Sequence, residues 1–161
     1  MLLIRSGMSM KRFLVKSEGN LSPFLTYHDW KHTEHVIRMA EYIGQKENMA
    51  EEEILLIKTA ALFHDAGFIN PISDGHEEAG IQLAKDKLPQ FGYSKSEIEI
   101  IGGMILATAI PQEPKTKLEC IIADADLEYL GTDTFERIGT NLYHEIKSFN
   151  PNLSIAEWNE I

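Results

Sequence analysis

The sequence predicts an all-α fold of about six or seven helices. Its apolar residues recur mostly at spacings of three and four, the period of a helix with one buried face. The one strand-like segment, ECIIA, lies inside a longer helical pattern. With 161 residues, of which 43% are hydrophobic, the chain has the length and apolar content of one domain.

Helix-capping signals divide the first half of the chain. The first predicted helix runs from about residue 29 to residue 47 and carries an apolar stripe. Asn48 is a suitable N-cap for the next helix, because Glu51 follows three residues later. The Leu-, Ile- and Ala-rich body of this second helix continues to Gly67, where a stop is expected.

The same signals predict further helices in the second half. Two pairs combine a capping residue with a glutamate three positions later: Asp74 with Glu77, and Ser94 with Glu97. Pro114 near the first turn and Gly131 just past the end bound another helix. The segment DTFERIGTNLYHEIK predicts one more. SIAEWNEI begins a last helix that the chain barely continues, which indicates a loosely docked tail or a trimmed end.

Charge and cysteine content limit the functional classes. Fifteen basic and 25 acidic residues give a formal charge of −10, which disfavours general binding to nucleic acid or to anionic membranes. A small anionic substrate remains compatible, because a metal can reverse the local field. Cys120 is the single cysteine, so an internal disulfide and a cysteine-rich zinc site are excluded. The opening segment resembles neither a signal peptide nor a membrane span, which predicts a cytoplasmic protein.

The segment YHDWKHTEH contains three of the six histidines in the chain. His28 and His32 are four residues apart, and His35 follows three residues later, so a helix would place them on roughly one face. The start of this helix is open, because Tyr27 to Trp30 could belong to the entering loop, so the three side chains need not converge. Capping of the helix and a solvated surface are the alternatives to ligand binding.

Two later segments carry acidic residues in apolar surroundings. ALFHDAGF ends an apolar helix with His64 next to Asp65, a costly arrangement unless these polar groups are satisfied. A divalent cation would satisfy them, and so would a hydrogen bond between the two side chains. In CIIADADLEYLG, Asp124 and Asp126 are two residues apart, about 200° around a helix, so only one can face a given interior point.

This order of motifs resembles the HD superfamily of metal-dependent phosphohydrolases, whose signature is H…HD…D on a helical bundle. The resemblance covers about residues 22–147 and implies a single HD domain with peripheral termini. The first motif also looks like the start of the cyclic-nucleotide phosphodiesterase catalytic domain. Asp29 stands where an asparagine is usual there, and no purine-clamping glutamine segment is recognisable. Specificity for cyclic nucleotides is therefore not supported.

The resemblance implies a role for each matching residue. The metal ligands would be His32, His64, Asp65 and Asp126, with Asp124 as the alternative to Asp126. His28 would be the general acid, and Asp65 would take part in catalysis by bridging to a second ion. His76 and Glu77 would serve a second metal or the substrate phosphate, although Glu77 could equally be a helix cap. The remaining histidines, His35 and His144, are expected beside the site or on the surface, and Lys115 and Lys117 could meet a phosphate.

The implied activity is hydrolysis of a phosphate ester or nucleotide by water that a divalent metal activates. One or two ions of Mn, Mg, Fe, Zn, Co or Ni would suit these ligands. The expected partner is a small phosphorylated, nucleotide-like substrate. Diiron oxygenases of the superfamily need more histidines between the His-Asp pair and the last aspartate than His76 alone. A metal- or nucleotide-binding sensor without turnover, or a docking module, remains the alternative.

Overall fold

Helices form the regular secondary structure of residues 25–69 and 75–159, the part of the chain that this computed structural model describes. Within these ranges there are no strands, so the all-α prediction is confirmed. The described part of the chain contains seven α-helices: α1 Trp30–Lys46, α2 Glu51–Phe63, α3 His76–Lys87, α4 Lys95–Leu106, α5 Lys117–Asp126, α6 Phe135–Phe149 and α7 Ile155–Trp158. In the same part, 3₁₀ turns lie at Ala66–Ile69, Leu88–Phe91 and Glu128–Gly131. Among the described helices, none has the length and apolar character required to span a membrane.

Helix α2 lies at the centre of the bundle. It packs along α1 and against α4, α5 and the start of α3. The core is made of aliphatic side chains that these helices contribute, and it includes Val36, Ile37, Ile57, Ile101, Met104 and Ile122. Burial of such side chains is the main stabilising contribution to the fold. Because α2 is central, the residues that follow its last turn are also buried.

The predicted N-cap of α2 was wrong by two residues. Asn48 has a left-handed backbone with φ of 55°, and its N–H donates to the Gln45 carbonyl, so it belongs to the turn that ends α1. Helix α2 begins after Ala50, whose N–H donates to the Glu53 carboxylate at 2.9 Å. The left-handed conformation, which asparagine tolerates better than most residues, explains why Asn48 occurs at this position.

Helix α5 is shorter than predicted at both ends. Its N-cap is Thr116, which exchanges hydrogen bonds with Glu119, and Pro114 lies outside the helix. The helix ends at Asp126, and the chain then tightens into the 3₁₀ turn that contains Gly131. This early end places Asp126 in the final helical turn. Of the two other predicted caps, Ser94 caps α4 as predicted, and Asp74 lies outside the described residues.

Two glycines allow α3 to lie directly on the end of α2. A Cβ atom at Gly80 would be 2.5 Å from the Phe63 carbonyl oxygen. A Cβ atom at Gly67 would be 1.9 Å from the His76 carbonyl oxygen. Both distances are too short for a side chain, so glycine is required for this close packing. The result is that the first turn of α3 lies beside the residues that follow α2.

Helix α6 is strongly amphipathic and packs beside the segment that precedes α1. Its apolar residues follow a heptad-like spacing at Phe135, Ile138, Leu142 and Phe149. The chain then turns so that Leu153 is buried, and the Trp158 ring of α7 contacts the Tyr143 ring with 5.8 Å between centroids. The short last helix is thus docked on α6.

Candidate metal centre

Three helices bring four predicted ligands to one point. His32 lies in the first turn of α1, His64 and Asp65 directly follow α2, and Asp126 is the last residue of α5. The side chains of all four are largely buried, with exposures between 1% and 13%. The packing of α1 and α5 against α2 therefore places imidazoles and carboxylates from separate parts of the sequence in mutual contact.

Ligand atoms of His32, His64 and Asp126 all lie within 4.8 Å of one another, close enough to hold one ion, and Asp65 adjoins the two histidines. His32 Nε2 is 3.4 Å from His64 Nε2 and 3.1 Å from Asp126 Oδ1. His64 Nε2 is 3.0 Å from Asp65 Oδ2 and 3.4 Å from Asp126 Oδ1. Neighbouring ligands at a bond length of about 2.1 Å lie about 3.0–3.4 Å apart in octahedral or tetrahedral geometry. The observed separations fit these values, with the longest at 3.5 Å between His32 Nε2 and Asp65 Oδ2.

With neutral histidines, the form that binds metal, the cluster has too few protons for the acceptors that it contains. His64 Nδ1 lies 2.8 Å from the Ala61 carbonyl oxygen and donates its proton there, so Nε2 of the neutral ring presents a lone pair. His32 Nε2 can share one proton with Asp126. Asp65 Oδ2 is buried, and no residue within 25–69 or 75–159 donates a hydrogen bond to it. A buried acceptor without a donor is costly, and a divalent cation at the centre would satisfy it.

The electrostatics of the ion-free cluster favour a cation in the same place. Burial lowers the pKa of His64, but the charges of Asp65 and Asp126 outweigh this effect and raise it well above 6.5. Burial raises the pKa of Asp65, but the His64 and His28 imidazoles outweigh it and hold that pKa below its usual value. Burial raises the pKa of Asp126, but the hydrogen bonds with His32 and His64 outweigh this effect and lower the pKa to about 2. Both carboxylates are therefore ionised at neutral pH, and a proton on histidine takes the position that a metal can fill.

Comparison with known families identifies the architecture. The family model described as HD domain matches residues 29–128, which is more than half of the chain. The chain belongs to the HD-domain family. The matched range contains His32, His64, Asp65 and Asp126, so the resemblance predicted from the sequence is confirmed.

A solved structure has the same HD-domain fold. It is the crystal structure of a protein from an uncultured Thermotogales bacterium, described as a predicted HD superfamily hydrolase. The two chains are 21% identical, the alignment covers 92% of each, and the TM-score is 0.61. Comparison with curated protein sequences gives no significant match.

His28 approaches the HD-domain cluster from outside the helix that carries His32. Asp29 is the N-cap of α1 and accepts hydrogen bonds from the N–H groups of Lys31 and His32, so His28 lies in the extended segment before the helix. Its ring packs against Phe68, with 4.3 Å between centroids. The spacing of four therefore does not place His28 above His32 on one helical face, as the helical interpretation expected.

Glu145 is a buried partner of His28 that the sequence interpretation missed. Its carboxylate accepts hydrogen bonds from the N–H groups of Tyr27 and His28 at 2.6 and 3.0 Å, and it pairs with the His28 Nδ1 atom. Glu145 is 3% exposed although it lies on a half-exposed helix. The heptad spacing of the apolar residues on α6 includes position 145, so an acid within an apolar stripe was the signal that could have identified it.

His76 and Glu77 lie on the outer side of Asp65. His76 Nε2 is 3.8 Å from Asp65 Oδ1 and 3.2 Å from Glu77 Oε1. The His76 ring stacks on Phe68 with 4.0 Å between centroids, so Phe68 contacts both His76 and His28, whose own centroids are 6.2 Å apart. Glu77 follows Gly75, which occupies the N-cap position of α3 with φ of 103°.

The other predicted residues lie away from the cluster. Asp124 is exposed on the opposite side of α5 from Asp126, and His144 is exposed on α6. His35 pairs with Glu128 at 3.0 Å. Lys117 begins α5, at the opposite end of the helix from Asp126, and its Nζ pairs with Glu47 at 3.2 Å. A contact of Lys115 or Lys117 with a phosphate stays a prediction.

Replacing each aspartate of α5 by asparagine separates a ligand from a surface acid. We expect Asp126→Asn to lower metal affinity by about 10- to 100-fold or more, since the cluster loses a charged oxygen. Asp124→Asn removes the same charge from the exposed face and should leave affinity within about twofold. Titration of Mn²⁺ or Zn²⁺ into the chelator-treated proteins measures both. Equal losses in the two variants would contradict the assignment of Asp126.

Replacing Glu145 by glutamine tests its pairing with His28. Burial raises the pKa of Glu145, but the hydrogen bond with His28 outweighs it and lowers the pKa below 4.5. Burial lowers the pKa of His28, but Asp65 and Glu145 outweigh it and raise the pKa above 6.5. The glutamate contribution to stability is thus complete above pH 4.5 and lost as the pH falls through its folded-state pKa. The histidine contribution is complete below pH 6.5 and lost as the pH rises through its folded-state pKa.

Glu145→Gln should therefore lower the free energy of unfolding most at pH values between 4.5 and 6.5, by about 2 kcal/mol. Urea unfolding of the chelator-treated protein at about pH 5.5 and about pH 9 provides the measurement. Glu113→Gln, at an exposed position, is the matched control. A loss at pH 9 as large as that at pH 5.5 would show that the charge pair is not the cause.

Proposed function

We propose that the protein is a metal-dependent phosphohydrolase that acts on a small phosphate ester, most simply a nucleotide-like compound. The observation that carries this proposal is the buried set of imidazole and carboxylate atoms at ligand spacing, with Asp65 Oδ2 lacking a donor among the described residues. His32, His64, Asp65 and Asp126 would hold a divalent ion. When bound, such an ion supplies Lewis acidity, which lowers the pKa of a water ligand toward about 7 and offsets phosphate charge.

His28 would supply the proton that the leaving oxygen requires. Glu145 pairs with Nδ1 of His28 and fixes the orientation of the ring. The other ring nitrogen, Nε2, has no hydrogen-bond partner within residues 25–69 and 75–159, so it is the atom from which a proton can pass to a substrate. Asp65 and Glu145 raise the pKa of His28 above 6.5 despite its burial, which favours the protonated ring that a general acid requires.

His76 and Glu77 support a place for a second ion beside Asp65. Asp65 presents Oδ2 to the first cluster and Oδ1 toward His76, so its carboxylate lies between the two groups of donors. Burial is the largest effect on His76 and lowers its pKa below 6.5, which keeps the imidazole neutral, the form that binds metal. We propose that Asp65, His76 and Glu77 would hold a second divalent ion, which would supply positive charge for the substrate phosphate.

Metal analysis combined with phosphate release tests this function. The full-length protein is purified, its metal content is determined, and it is assayed with a panel of phosphomonoesters, nucleotides and cyclic nucleotides in the presence of Mn²⁺, Mg²⁺, Fe²⁺ or Zn²⁺. Bound metal with release that is absent in His64→Ala would support the proposal. Bound metal without release from any compound would favour a sensor that binds without turnover, and absence of metal binding would contradict both functions.

A further inference from the structure

A cleft with a basic lining lies between the first half of α1 and helix α6. Its volume is about 540 Å³, within the range of small-molecule sites. Lys31 and Arg38 line it from α1, and Arg137 lines it from α6. Three cations around one concave surface are unexpected in a chain with a net charge of −10.

The cations of this cleft are not neutralised by neighbouring acids. Within residues 25–69 and 75–159, Lys31, Arg38 and Arg137 form no ion pair. Asp29 is the only acid in the lining, and its carboxylate is engaged in capping α1. His35, also in the lining, is paired with Glu128. The uncompensated positive charge therefore favours an anionic ligand.

The spacing of the cations indicates a ligand with several negative charges. Lys31 and Arg38 are seven residues apart on the same face of α1, which separates their Cα atoms by about 10 Å along the axis. Arg137 belongs to the other wall. A single phosphate could contact only part of this set, whereas a chain of phosphates could contact all three.

The cleft adjoins the metal cluster through His32, the one proposed metal ligand among its described lining residues. His32 and Tyr27 line the cleft, but His64, Asp65 and Asp126 do not. The Tyr27 ring lies 4.7 Å from the His32 ring and 5.8 Å from the Tyr129 ring, so these aromatic rings form the wall on this side. Asn141 adds an amide to the opposite wall.

We propose that this cleft binds the oligophosphate group of a small molecule, at a site that adjoins the metal cluster through His32 but does not require a bound metal. The charges of Lys31, Arg38 and Arg137 recognise the phosphates. The aromatic wall and the Asn141 amide could in addition contact a nucleoside attached to them. This site does not depend on the proposed hydrolase activity, because none of its three cations is a proposed metal ligand.

Calorimetric titration with inorganic tripolyphosphate and with a nucleoside triphosphate tests the proposal. The titrations use the full-length protein and its His64→Ala variant, in which phosphate cannot bind through a metal at the cluster. We expect both proteins to bind, and we expect Arg38→Gln with Arg137→Gln to weaken binding by about tenfold or more. Tighter binding of the nucleoside triphosphate would assign a nucleoside contact to the cleft. Equal binding of the two ligands would assign recognition to the phosphates alone.

The matched control is Lys85→Gln with Lys87→Gln. These lysines are exposed on α3, outside the cleft, and their replacement removes the same number of positive charges. We expect the control to bind within about twofold of the wild type, since only screened long-range charge is lost. Absence of binding by the wild type, or an equal loss in both double variants, would overturn the proposal, whether or not the protein hydrolyses phosphate esters.

Discussion

Substitution of His64 by alanine is expected to remove the bound divalent ion and to reduce phosphate release to the background rate. His64 Nε2 lies within 3.4 Å of donor atoms on His32, Asp65 and Asp126, so it contacts every other proposed ligand. Loss of this imidazole leaves one histidine for two carboxylates. We expect metal affinity to fall by more than about 100-fold, since a ligand is lost rather than a residue that orients one.

The same variant should remain helical. Helix α2 is held by buried aliphatic side chains such as Ile57 and Leu62, and His64 follows its last residue. Metal content and phosphate release should therefore be lost in this variant, whereas the helical signal in far-UV circular dichroism should be kept. His144→Ala removes an exposed imidazole from α6 and is the matched control. Full metal content and full rate in His64→Ala would show that the cluster is not the metal site.

Asp65→Ala should reproduce this loss for a different reason. Its Oδ2 atom is the buried acceptor without a donor in the described part of the chain, so the carboxylate is the group whose burial most needs a cation. Metal retention in Asp65→Ala together with loss in His64→Ala would place the ion nearer to His32 and Asp126 than to Asp65. That result would also contradict the proposed bridge to a second ion.

The helices and the approach of the ligand residues could be predicted because they depend on periodicity. Asp124 and Asp126 are about 200° apart on a helix, so one of the two had to face away from the cluster. The structure exposes Asp124 and directs Asp126 toward His32 and His64. The adjacent His64 and Asp65 had to be buried together, since they follow a helix without a polar face.

The errors concern features that local sequence does not determine. Asn48 has the side chain of an N-cap, but its left-handed backbone ends one helix instead of beginning the next. The start of α1 depends on whether Asp29 or an earlier residue caps the helix, and that choice decides the position of His28. Glu145 is 117 residues from His28, so their pairing depends entirely on how α6 packs. Periodicity identified its helix but not its partner.

Replacement of His28 by asparagine is expected to lower turnover by about 10²- to 10⁴-fold while the metal stays bound. Within the described residues, no polar contact shorter than 4 Å joins His28 to the donor atoms of the cluster. Its Nδ1 atom pairs with Glu145 instead. Asparagine is preferred to alanine because its amide can donate to Oε1 of Glu145, the carboxylate oxygen that pairs with His28 Nδ1. Metal content and phosphate release are measured on the same preparation.

The Glu145→Gln variant completes this comparison, because Glu145 positions His28 and does not itself reach the cluster. Its carboxylate binds the backbone of Tyr27 and His28 as well as the imidazole, and a glutamine oxygen can keep the backbone contacts. We therefore expect Glu145→Gln to lower turnover less than His28→Asn and to shift the pH profile of the rate toward lower pH, since the imidazolium loses its partner. The double variant should be no slower than His28→Asn alone. Loss of metal in His28→Asn would instead make His28 a ligand, and additive losses in the double variant would show that Glu145 acts independently of it.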